Sequence, residues 1–576
     1  MSRLPNCWKQ MARNLIRSLP AQVDPLAVIE VIAAEYFNWD GYHSDITIYK
    51  GLESEGNRCV IDSIDIPAGS GPEILGLIYE TLLEGEDRGS KQGHRRRSGI
   101  FYTPAFISDF LIKSALDQSR SADANSLPMI IDPACGSGAF LLSAYKELKR
   151  RYPKAEPAEI VTRSIHGVDS DERAVHVARI SLCIAAGMDR SGYKKLCKNL
   201  HVANSLVDLL NPGQKYDVVV GNPPYRNVKR GIDSQTKDFI IDNFVTAKGQ
   251  LDLSVPFIEL ALRHLLKNCG AMGYIIPNPI FLAENYEPIR ALLLENDVVS
   301  FGPAGRVFHD PNVEASLLVA RRGAGTGGNR IAILGIGDGK VRETGKIRRS
   351  LIEKLPSRIF SHLADEKFIG KILDRLESGE LEPLGDHVSL TRGIECGKRD
   401  ARIVIGSKKT VGTIPLITGD TLSPYSAEAA RSISLPGGPR ERALLLKHES
   451  IWLEPVKLFI RRVADRPIAA VYKGTCAALN TLYVAHHGDF DPYSLCALIN
   501  SSIFREIFTQ MFAFDDKIFP YLRISQLKRV PIPVEALTDK DLSRWSREMH
   551  KFKGEDNSLR SKIDRKVKIL YELGSI

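Results

Sequence analysis

The sequence contains no run of about 18 consecutive apolar residues, and its first twenty residues hold no apolar core segment of the signal-peptide type. Its nine cysteines are scattered, with no C-x-x-C pair and no spacing typical of a zinc knuckle. Internal repeats and low-complexity tracts are also missing. These absences predict a soluble, cytoplasmic protein with no metal site, no membrane segment and no disulfide framework.

The chain is long, and its charge is unevenly distributed along the sequence. With 576 residues, 43% of them hydrophobic, it is long enough for two to four domains. The net charge is +9, but residues 1–300 carry 34 basic and 36 acidic side chains, whereas residues 301–576 carry 44 and 33. A second half that approaches a polyanion would show this asymmetry, and so would an ordinary solvated surface.

Hydrophobic periodicity divides the chain into three parts, residues 1–95, 96–350 and 351–576. The first is mainly helical, with helices predicted near Leu26–Ala33 and Ile74–Tyr79, and nothing in it indicates chemistry. The third is mixed α and β, with an extended segment predicted over Trp452–Val463 and a helix over Leu495–Phe512.

The middle part alternates short apolar runs with helical periods. We predict helices over Phe140–Arg150 and Ser254–Leu266, and buried strands over Met129–Ile131, Ile165–Val168, Tyr216–Val220 and Met272–Ile276. This alternation is typical of a mostly parallel sheet covered by helices on both faces. In such sheets, ligands bind beyond the carboxyl ends of the strands.

A glycine-rich loop follows the first of these strands, in the segment Asp132–Phe140. Gly136 and Gly138 allow the backbone to pass close to a ligand, where a side chain would collide. Because no Gly-Lys-Ser/Thr follows, the loop is not a phosphate-binding P-loop. On its own it fits a tight structural turn equally well.

Asp169 stands at the tip of the second predicted strand. An acidic residue there can accept hydrogen bonds from both hydroxyls of a ribose. It can also serve as the N-cap of the helix that starts near Glu172, although Asp171 could fill that role and leave Asp169 to a ligand.

The segment Val218–Tyr225 is the most specific motif, since a buried strand ends there in Asn-Pro-Pro-Tyr. The two prolines hold the backbone extended. The Asn222 side-chain oxygen and the Pro223 carbonyl can then accept both hydrogens of a planar exocyclic amine, while Tyr225 offers a face on which the ring stacks. Acceptors placed out of the ring plane localise the nitrogen lone pair, so the stabilisation appears mainly in the transition state of attack by that nitrogen.

Three segments in this order, Ser98–Pro104, Asp132–Phe140 and Asn222–Tyr225, resemble the S-adenosylmethionine-dependent DNA adenine-N6 methyltransferases of the TaqI type. The order is the gamma arrangement of that superfamily, and the resemblance spans residues 70 to 535. It implies an α/β fold of class I (Rossmann-like) methyltransferase type with a mostly parallel seven-stranded sheet. It also implies a helical N-terminal segment at 1–95, a catalytic domain at 96–350 and a mixed α/β target-recognition domain at 351–576.

The resemblance also assigns cofactor contacts. Asp169 would hold the ribose of S-adenosylmethionine, and Phe257 would lie beside its adenine, although Phe257 reads equally well as a core residue. Where the family usually has an Asp for the adenine amine, this chain has Asn204, whose amide oxygen can still accept. The residues implied at the methionine part are Tyr102, Thr103, Asp132, Ala134 and Gly136.

On the substrate side, Phe308 matches the segment that supplies a second aromatic against the flipped adenine, opposite Tyr225, and core packing is its alternative. Extruding a base from duplex DNA costs a few kcal/mol, which contacts to DNA must offset. Candidates for those contacts, which can also be solvated charge clusters, are Arg226, Lys229 and Arg230 and the run Arg95–Arg97.

The resemblance therefore implies a site-specific methyltransferase that acts on N6 of a flipped adenine in double-stranded DNA. By family analogy it is the modification component of a restriction-modification or phage-defence system, with a cognate restriction endonuclease for the same site as a further partner. Three alternatives remain: a methyltransferase of protein glutamine or of RNA, a fused restriction enzyme, and a DNA-binding subunit that has lost catalysis. The first generally lacks the Phe-Tyr-Thr-Pro motif and a long recognition domain, and no nuclease signature is recognisable in residues 1–95.

Overall fold

A computed structural model of the chain divides it into two compact units, residues 1–353 and 354–576. Each unit is described below by itself. The residues that the structure describes are 25–37, 71–86, 103–120, 126–210, 213–225, 232–247, 252–308, 314–323, 329–396, 400, 402–405, 412–438, 440–441, 446, 449–513 and 521–573.

The first unit is built on one nine-stranded sheet in the order β3-β2-β1-β4-β5-β7-β6-β8-β9. Its strands are β1 Ile130–Asp132, β2 Ile165–Asp169, β3 Leu200–Val202, β4 Tyr216–Gly221, β5 Leu266–Pro277, β6 Asp297–Gly305, β7 Ala315–Arg321, β8 Arg330–Gly337 and β9 Lys340–Arg348.

The five strands β3, β2, β1, β4 and β5 pair in parallel, and β7 runs antiparallel between β5 and β6. The four predicted strands lie within β1, β2, β4 and β5, and the mostly parallel sheet is confirmed. The predicted number of seven strands is wrong, because β8 adds in parallel to β6 and carries β9 with it as an antiparallel partner. The first seven positions of the sheet hold β1 to β7, and β8 and β9 extend it at one edge.

Helices and short helical turns surround this sheet. Apolar side chains between them and the sheet form one core, to which Ile107, Leu111, Leu141 and Val175 belong. The helices are Pro25–Phe37, Glu73–Glu86, Ala105–Gln118, Ala139–Arg151, Pro157–Glu159, Glu172–Ala186, Arg190–Leu196, Ser205–Asp208, Ser234–Asn243, Ser254–Glu259, Pro279–Leu282, Glu287–Glu295 and Arg349–Lys354, with π-helical segments Ile160–Ser164 and Leu260–Leu265 and a 3-10 turn Glu284–Tyr286.

The two N-terminal helices, Pro25–Phe37 and Glu73–Glu86, belong to the same unit as the sheet. His176, on the helix Glu172–Ala186, bonds Glu30 at 3.0 Å through Nε2 and the Tyr193 hydroxyl at 2.6 Å through Nδ1. This polar connection attaches the first helix to the layer that covers β2 and β3.

The second unit contains two four-stranded sheets, β11-β20-β17-β18 and β12-β16-β13-β19, and two short pairs, β10-β21 and β14-β15. Its strands are β10 Glu382–Pro383, β11 Ser389–Arg392, β12 Ile403–Ile405, β13 Thr413–Ile417, β14 Leu422–Ser423, β15 Ser426–Ala427, β16 Arg431–Ser434, β17 Val456–Arg461, β18 Ala469–Lys473, β19 Ala477–Ala478, β20 Leu482–His486 and β21 Pro531–Ile532. Its helices are Glu366–Glu377, Leu384–His387, Glu449–Leu453, Pro492–Asn500, Ser502–Phe512, Ile524–Lys528, Lys540–Lys551 and Asn557–Leu570, with 3-10 turns Pro356–Arg358, Gly419–Thr421 and Val534–Leu537.

Two sequence predictions for this unit are partly wrong. Trp452 lies in the short helix Glu449–Leu453, and the strand begins only at Val456, because Pro455 has no N–H to continue the helix. The single helix predicted up to Phe512 is two helices, since the Ser501 hydroxyl accepts from the N–H of Phe504 at 3.2 Å and caps a new helix there.

Candidate functional site

The glycine loop leaves the carboxyl end of β1 at Asp132 and enters the helix Ala139–Arg151. Gly136 has φ +50° and Gly138 has φ +95°, a backbone conformation that favours glycine. A Cβ on Gly138 would lie 3.0 Å from the Cβ of Ala178. The loop therefore needs glycine at both positions for its own geometry, and the resulting turn lies at the carboxyl edge of the sheet, where ligands of such sheets bind.

Asp169, at the end of β2, joins two loops at this edge. Its Oδ2 accepts from the N–H of Gly136 at 2.8 Å and its Oδ1 accepts from the N–H of Asp171 at 2.9 Å. Asp171 itself caps the helix Glu172–Ala186, as the sequence suggested, by accepting from the N–H of Arg173 at 3.0 Å. Because a carboxylate can accept about four hydrogen bonds, Asp169 keeps acceptor capacity for two ligand hydroxyls.

Asp132 is a buried carboxyl between the ends of β1 and β4. Its Oδ1 accepts from the N–H of Ala134 at 2.9 Å, and a Cβ on Gly221 would come within 2.5 Å of the same oxygen. Burial, together with the nearby charge of Asp169, raises the pKa of Asp132 to about 8. Burial also raises the pKa of Asp169. Two carboxyls that cannot easily ionise together favour a cationic ligand in the space between them.

We expect the affinity for such a cationic ligand to rise with pH. A positive charge beside Asp132 lowers its pKa from about 8, so the bound state holds fewer protons and binding releases up to one. Between pH 6 and pH 7.5 the dissociation constant for S-adenosylmethionine, the cationic ligand that the sequence predicts here, should fall by up to about tenfold per pH unit. Calorimetric titration in buffers of different ionisation enthalpy measures both quantities. Affinity that does not change over this range, without proton release, would contradict this expectation, and Asp132→Asn should abolish the dependence.

The Asn-Pro-Pro-Tyr motif follows β4 directly, next to Asp132. β4 pairs in parallel with β1, with Val219 opposite Ile131, so the ends of the two strands lie side by side. Asn222 donates from Nδ2 to the Oγ1 of Thr103 at 3.2 Å, and Thr103 is 4% exposed. The structure thus brings three separate motifs, at 103, 132 and 222, to one point. Tyr102 lies outside the described residues.

Tyr225 and Phe308 meet although they are far apart in sequence. Their ring centroids are 5.7 Å apart at an interplanar angle of 78°, an edge-to-face contact, and Phe308 is 7% exposed. Pro223 is buried, and it follows the end of β4 by two residues. Tyr225 lies three residues beyond Asn222 in the chain. The two aromatics predicted to hold a base are therefore neighbours, next to the amide predicted to bind its amine.

Two other predicted cofactor residues have structural roles of their own. Asn204 caps the short helix Ser205–Asp208: its Oδ1 accepts from the N–H of Leu206 at 3.2 Å. The adjacent Ser205 hydroxyl donates to the Pro133 carbonyl at 2.6 Å, which places Asn204 beside the glycine loop. Phe257 is 6% exposed in the helix Ser254–Glu259. The contacts of Asn204 and Phe257 with the cofactor stay predictions.

The structure adds three residues that the sequence reasoning missed. Tyr274, on β5, pairs with Gly221, and its hydroxyl is buried and has no hydrogen-bond partner among the described residues. Burial and the charge of Asp132 raise its pKa well above the usual value.

The other two lie beside the aromatic pair. Burial raises the pKa of Asp252 to about 7, and its Oδ1 accepts from the Ser254 hydroxyl at 2.5 Å. Burial chiefly, and then the charge of Asp252, raises the pKa of Tyr225 and brings that of Tyr286 to about 12. In sequence, Asp252 only resembles a helix-capping residue, so no local signal could have identified it.

Several predicted features cannot be placed. Both basic clusters, at 226–230 and 95–97, lie outside the described residues. Within the described ranges, no group of three or more His, Cys, Asp or Glu residues could hold a metal ion. None of the helices that the structure describes combines the length and apolar character needed to cross a membrane.

Two family models match the chain. One, described as N-6 DNA Methylase, matches residues 70–363, which contain every motif discussed above. The other, described as a TaqI-like C-terminal specificity domain, matches residues 415–532 in the second unit.

Individual relatives each match about two fifths of the chain. The Type II methyltransferase M.VspI of Vibrio sp. (strain 343) is 27% identical over 44% of this chain and 53% of its own length. The Adenine-specific methyltransferase PglX of Streptomyces coelicolor is 29% identical over 38% of this chain and 22% of its own length. The Modification methylase CviBIII of Paramecium bursaria Chlorella virus NC1A is 29% identical over 40% and 52%. The matched part thus spans about half or less of these relatives.

A solved structure resembles most of the chain in fold. The Type IIL restriction-modification enzyme MmeI, solved in complex with DNA, aligns with a TM-score of 0.59 over 90% of this chain and 82% of that chain, at 12% identity. At this identity the likeness concerns the fold alone.

Proposed function

The chain belongs to the N-6 DNA methylase family, and from that premise we propose that it methylates N6 of an adenine flipped out of double-stranded DNA. The observation that carries the proposal is the junction at the carboxyl edge of the sheet. There Gly221 approaches the buried carboxyl of Asp132, the next residue, Asn222, donates to Thr103, and Tyr225, three residues on, contacts Phe308.

S-adenosylmethionine is the methyl donor of this family, and the residues at the glycine loop fit it. Its sulfonium and ammonium groups give it a net positive charge, which suits the two carboxyls, Asp132 and Asp169, whose pKa values are raised. We assign the ribose hydroxyls to Asp169, because both of its oxygens face the loop and keep acceptor capacity. When bound, the cofactor supplies an electrophilic methyl group on its sulfonium.

Asn222 and Pro223 bind and orient the adenine amine in this proposal. Because Nδ2 of Asn222 donates to Thr103, its amide oxygen is directed to the other side, where it can accept an N–H. The Pro223 carbonyl accepts the second N–H. Two acceptors outside the ring plane favour a pyramidal nitrogen and stabilise the positive charge that develops on it, so their effect is greatest in the transition state.

Tyr225 and Phe308 hold the base by contact with its ring. In the structure they touch edge to face, and an adenine stacked on either ring would be kept close to Asn222. Burial and the charge of Asp252 raise the pKa of Tyr225, which keeps its hydroxyl protonated.

These assignments suggest a separate role for each of the three segments of the chain. We propose that residues 96–350 catalyse, that 351–576 recognise the target sequence, and that the helical segment 1–95 supports the catalytic part. The specificity-domain match at 415–532 and the basic excess beyond residue 300 support the second assignment. The proposal places the protein in the cytoplasm, with double-stranded DNA as its partner and a restriction endonuclease for the same site as a second one.

Expression in a host without DNA methylation tests this function. DNA from that host should carry methylated adenine at one defined sequence motif, detected by modification-sensitive sequencing, and at equal protein levels DNA from cells that express Asn222→Ala should carry a much smaller methylated fraction at that motif. Unmodified DNA in cells that contain folded protein would contradict the proposal.

A further inference from the structure

The helix Glu73–Glu86 lies directly against the glycine loop. A Cβ on Gly76 would come within 2.9 Å of the Ser137 hydroxyl, so only glycine permits this approach without a shift. At the start of the helix, Glu73 Oε1 is 3.1 Å from the Nζ of Lys146, which lies on the helix that follows the loop. Packing and charge thus hold this N-terminal helix over the loop, although the sequence indicated no chemistry in residues 1–95.

Two consecutive side chains of this helix reach the two loops that form the edge of the sheet. The Tyr79 hydroxyl donates to Asp171 Oδ2 at 3.2 Å, next to the β2 loop. The Ser137 hydroxyl, in the glycine loop, donates to Glu80 Oε1 at 3.2 Å. Glu80 is 8% exposed. A buried carboxylate is stabilised by such donors, and a cation that approaches it gains a strong electrostatic interaction.

The Glu80 carboxylate also borders the space above Gly136. A Cβ built on Gly136 would have Glu80 Oε1 at 4.0 Å, which is ordinary van der Waals distance. Any ligand that lies over this glycine therefore has the carboxylate at its edge. On the other side of the same glycine, its N–H donates to Asp169. Glu80 thus extends the row of carboxyls formed by Asp132 and Asp169 beyond the loop.

We propose that Glu80, contributed by the N-terminal helix, accepts the ammonium group of the methionine part of S-adenosylmethionine and so completes the cofactor site. The inference rests on the proposed function, because it takes the cofactor at the glycine loop as given. Among the residues around the loop, Glu80 combines a negative charge, deep burial and a position facing Gly136 rather than the end of a strand. An ammonium group matches it in charge and offers three donors.

Calorimetric binding of two cofactor fragments to the full chain tests this role. S-adenosylhomocysteine carries the ammonium group, whereas 5′-methylthioadenosine lacks the whole amino-acid part. Glu80→Gln should weaken S-adenosylhomocysteine about tenfold or more and change 5′-methylthioadenosine less than about twofold. Glu73→Gln, on the same helix, removes only the part-exposed pair with Lys146 and is the matched control; it should change both affinities equally and by less than about twofold.

A second variant separates direct contact from support of the loop. Ser137→Ala removes the hydroxyl that donates to Glu80 and should weaken S-adenosylhomocysteine by less than about threefold. If Ser137→Ala reproduces the Glu80→Gln loss, or if Glu80→Gln weakens both ligands equally, Glu80 only shapes the loop and the inference is overturned. If Glu80→Gln binds like the unmodified protein, the inference fails while the proposed function stands. An unmodified chain that binds neither ligand would refute both.

Discussion

Asn222→Ala is expected to lower the rate of methyl transfer about 10²- to 10³-fold while it leaves the affinity for S-adenosylhomocysteine within about threefold. The amide oxygen acts on charge that develops at the attacking nitrogen, so its removal costs most in the transition state. The bond from Nδ2 to Thr103 is lost as well, but Thr103 is held in a buried position next to the helix Ala105–Gln118. Single-turnover transfer of labelled methyl groups to DNA, together with calorimetric cofactor binding, measures the two effects separately.

Asn222→Asp is the matched control for this variant. It keeps an acceptor oxygen where the amide oxygen stood, so we expect it to retain much more activity than the alanine variant. A variant Asn222→Ala that transfers methyl groups at the unmodified rate would refute the role of this side chain. Equal losses in turnover and in cofactor affinity would show instead that Asn222 supports the glycine loop.

Tyr225→Ala should reduce transfer to duplex DNA about 10- to 100-fold, because stacking on an aromatic ring contributes about 1–3 kcal/mol per base. The substitution also removes the ring that Phe308 contacts edge to face, so the pocket loses one wall and part of the support for the other. Tyr225→Phe keeps the ring and should retain nearly full activity.

A change at the target base itself provides the decisive comparison for Tyr225. Placing the target adenine opposite a mismatched base reduces the cost of extrusion, so the defect of Tyr225→Ala should shrink on such DNA. A defect of the same size on matched and mismatched DNA would argue that Tyr225 does not stabilise the flipped base.

Much of the first unit could be predicted because its signals are local. Four apolar runs gave β1, β2, β4 and β5, and the glycine loop and Asn-Pro-Pro-Tyr follow two of those strands directly. The additional strand β8, Arg330–Gly337, is itself rich in apolar residues. Its pairing with β6, which enlarges the sheet from seven to nine strands, depends on contacts between distant segments that periodicity does not encode.

The same distinction explains what was missed at the site. Glu80 lies 57 residues before Ser137 on a helix that reads as an ordinary amphipathic element, so its approach to the loop is visible only in three dimensions. Asp252 accepts two hydrogen bonds from Ser254, as a helix-capping residue would. The sequence therefore offered no reason to expect that its charge acts on Tyr225. Asn204, by contrast, was noticed as unusual, and its capping bond to Leu206 gives that residue a structural reason to be present.

The central claim is that the Asn222 amide oxygen and the Pro223 carbonyl bind the amine of an adenine beside the methyl donor. Nucleoside mass spectrometry of duplex DNA, treated with the purified chain and isotopically labelled S-adenosylmethionine, tests it most directly. The account predicts label in N6-methyldeoxyadenosine alone, formed about 10²- to 10³-fold more slowly when Asn222→Ala replaces the unmodified chain. Label in a methylated cytosine, or label in adenine that the variant forms at the unmodified rate, would contradict it.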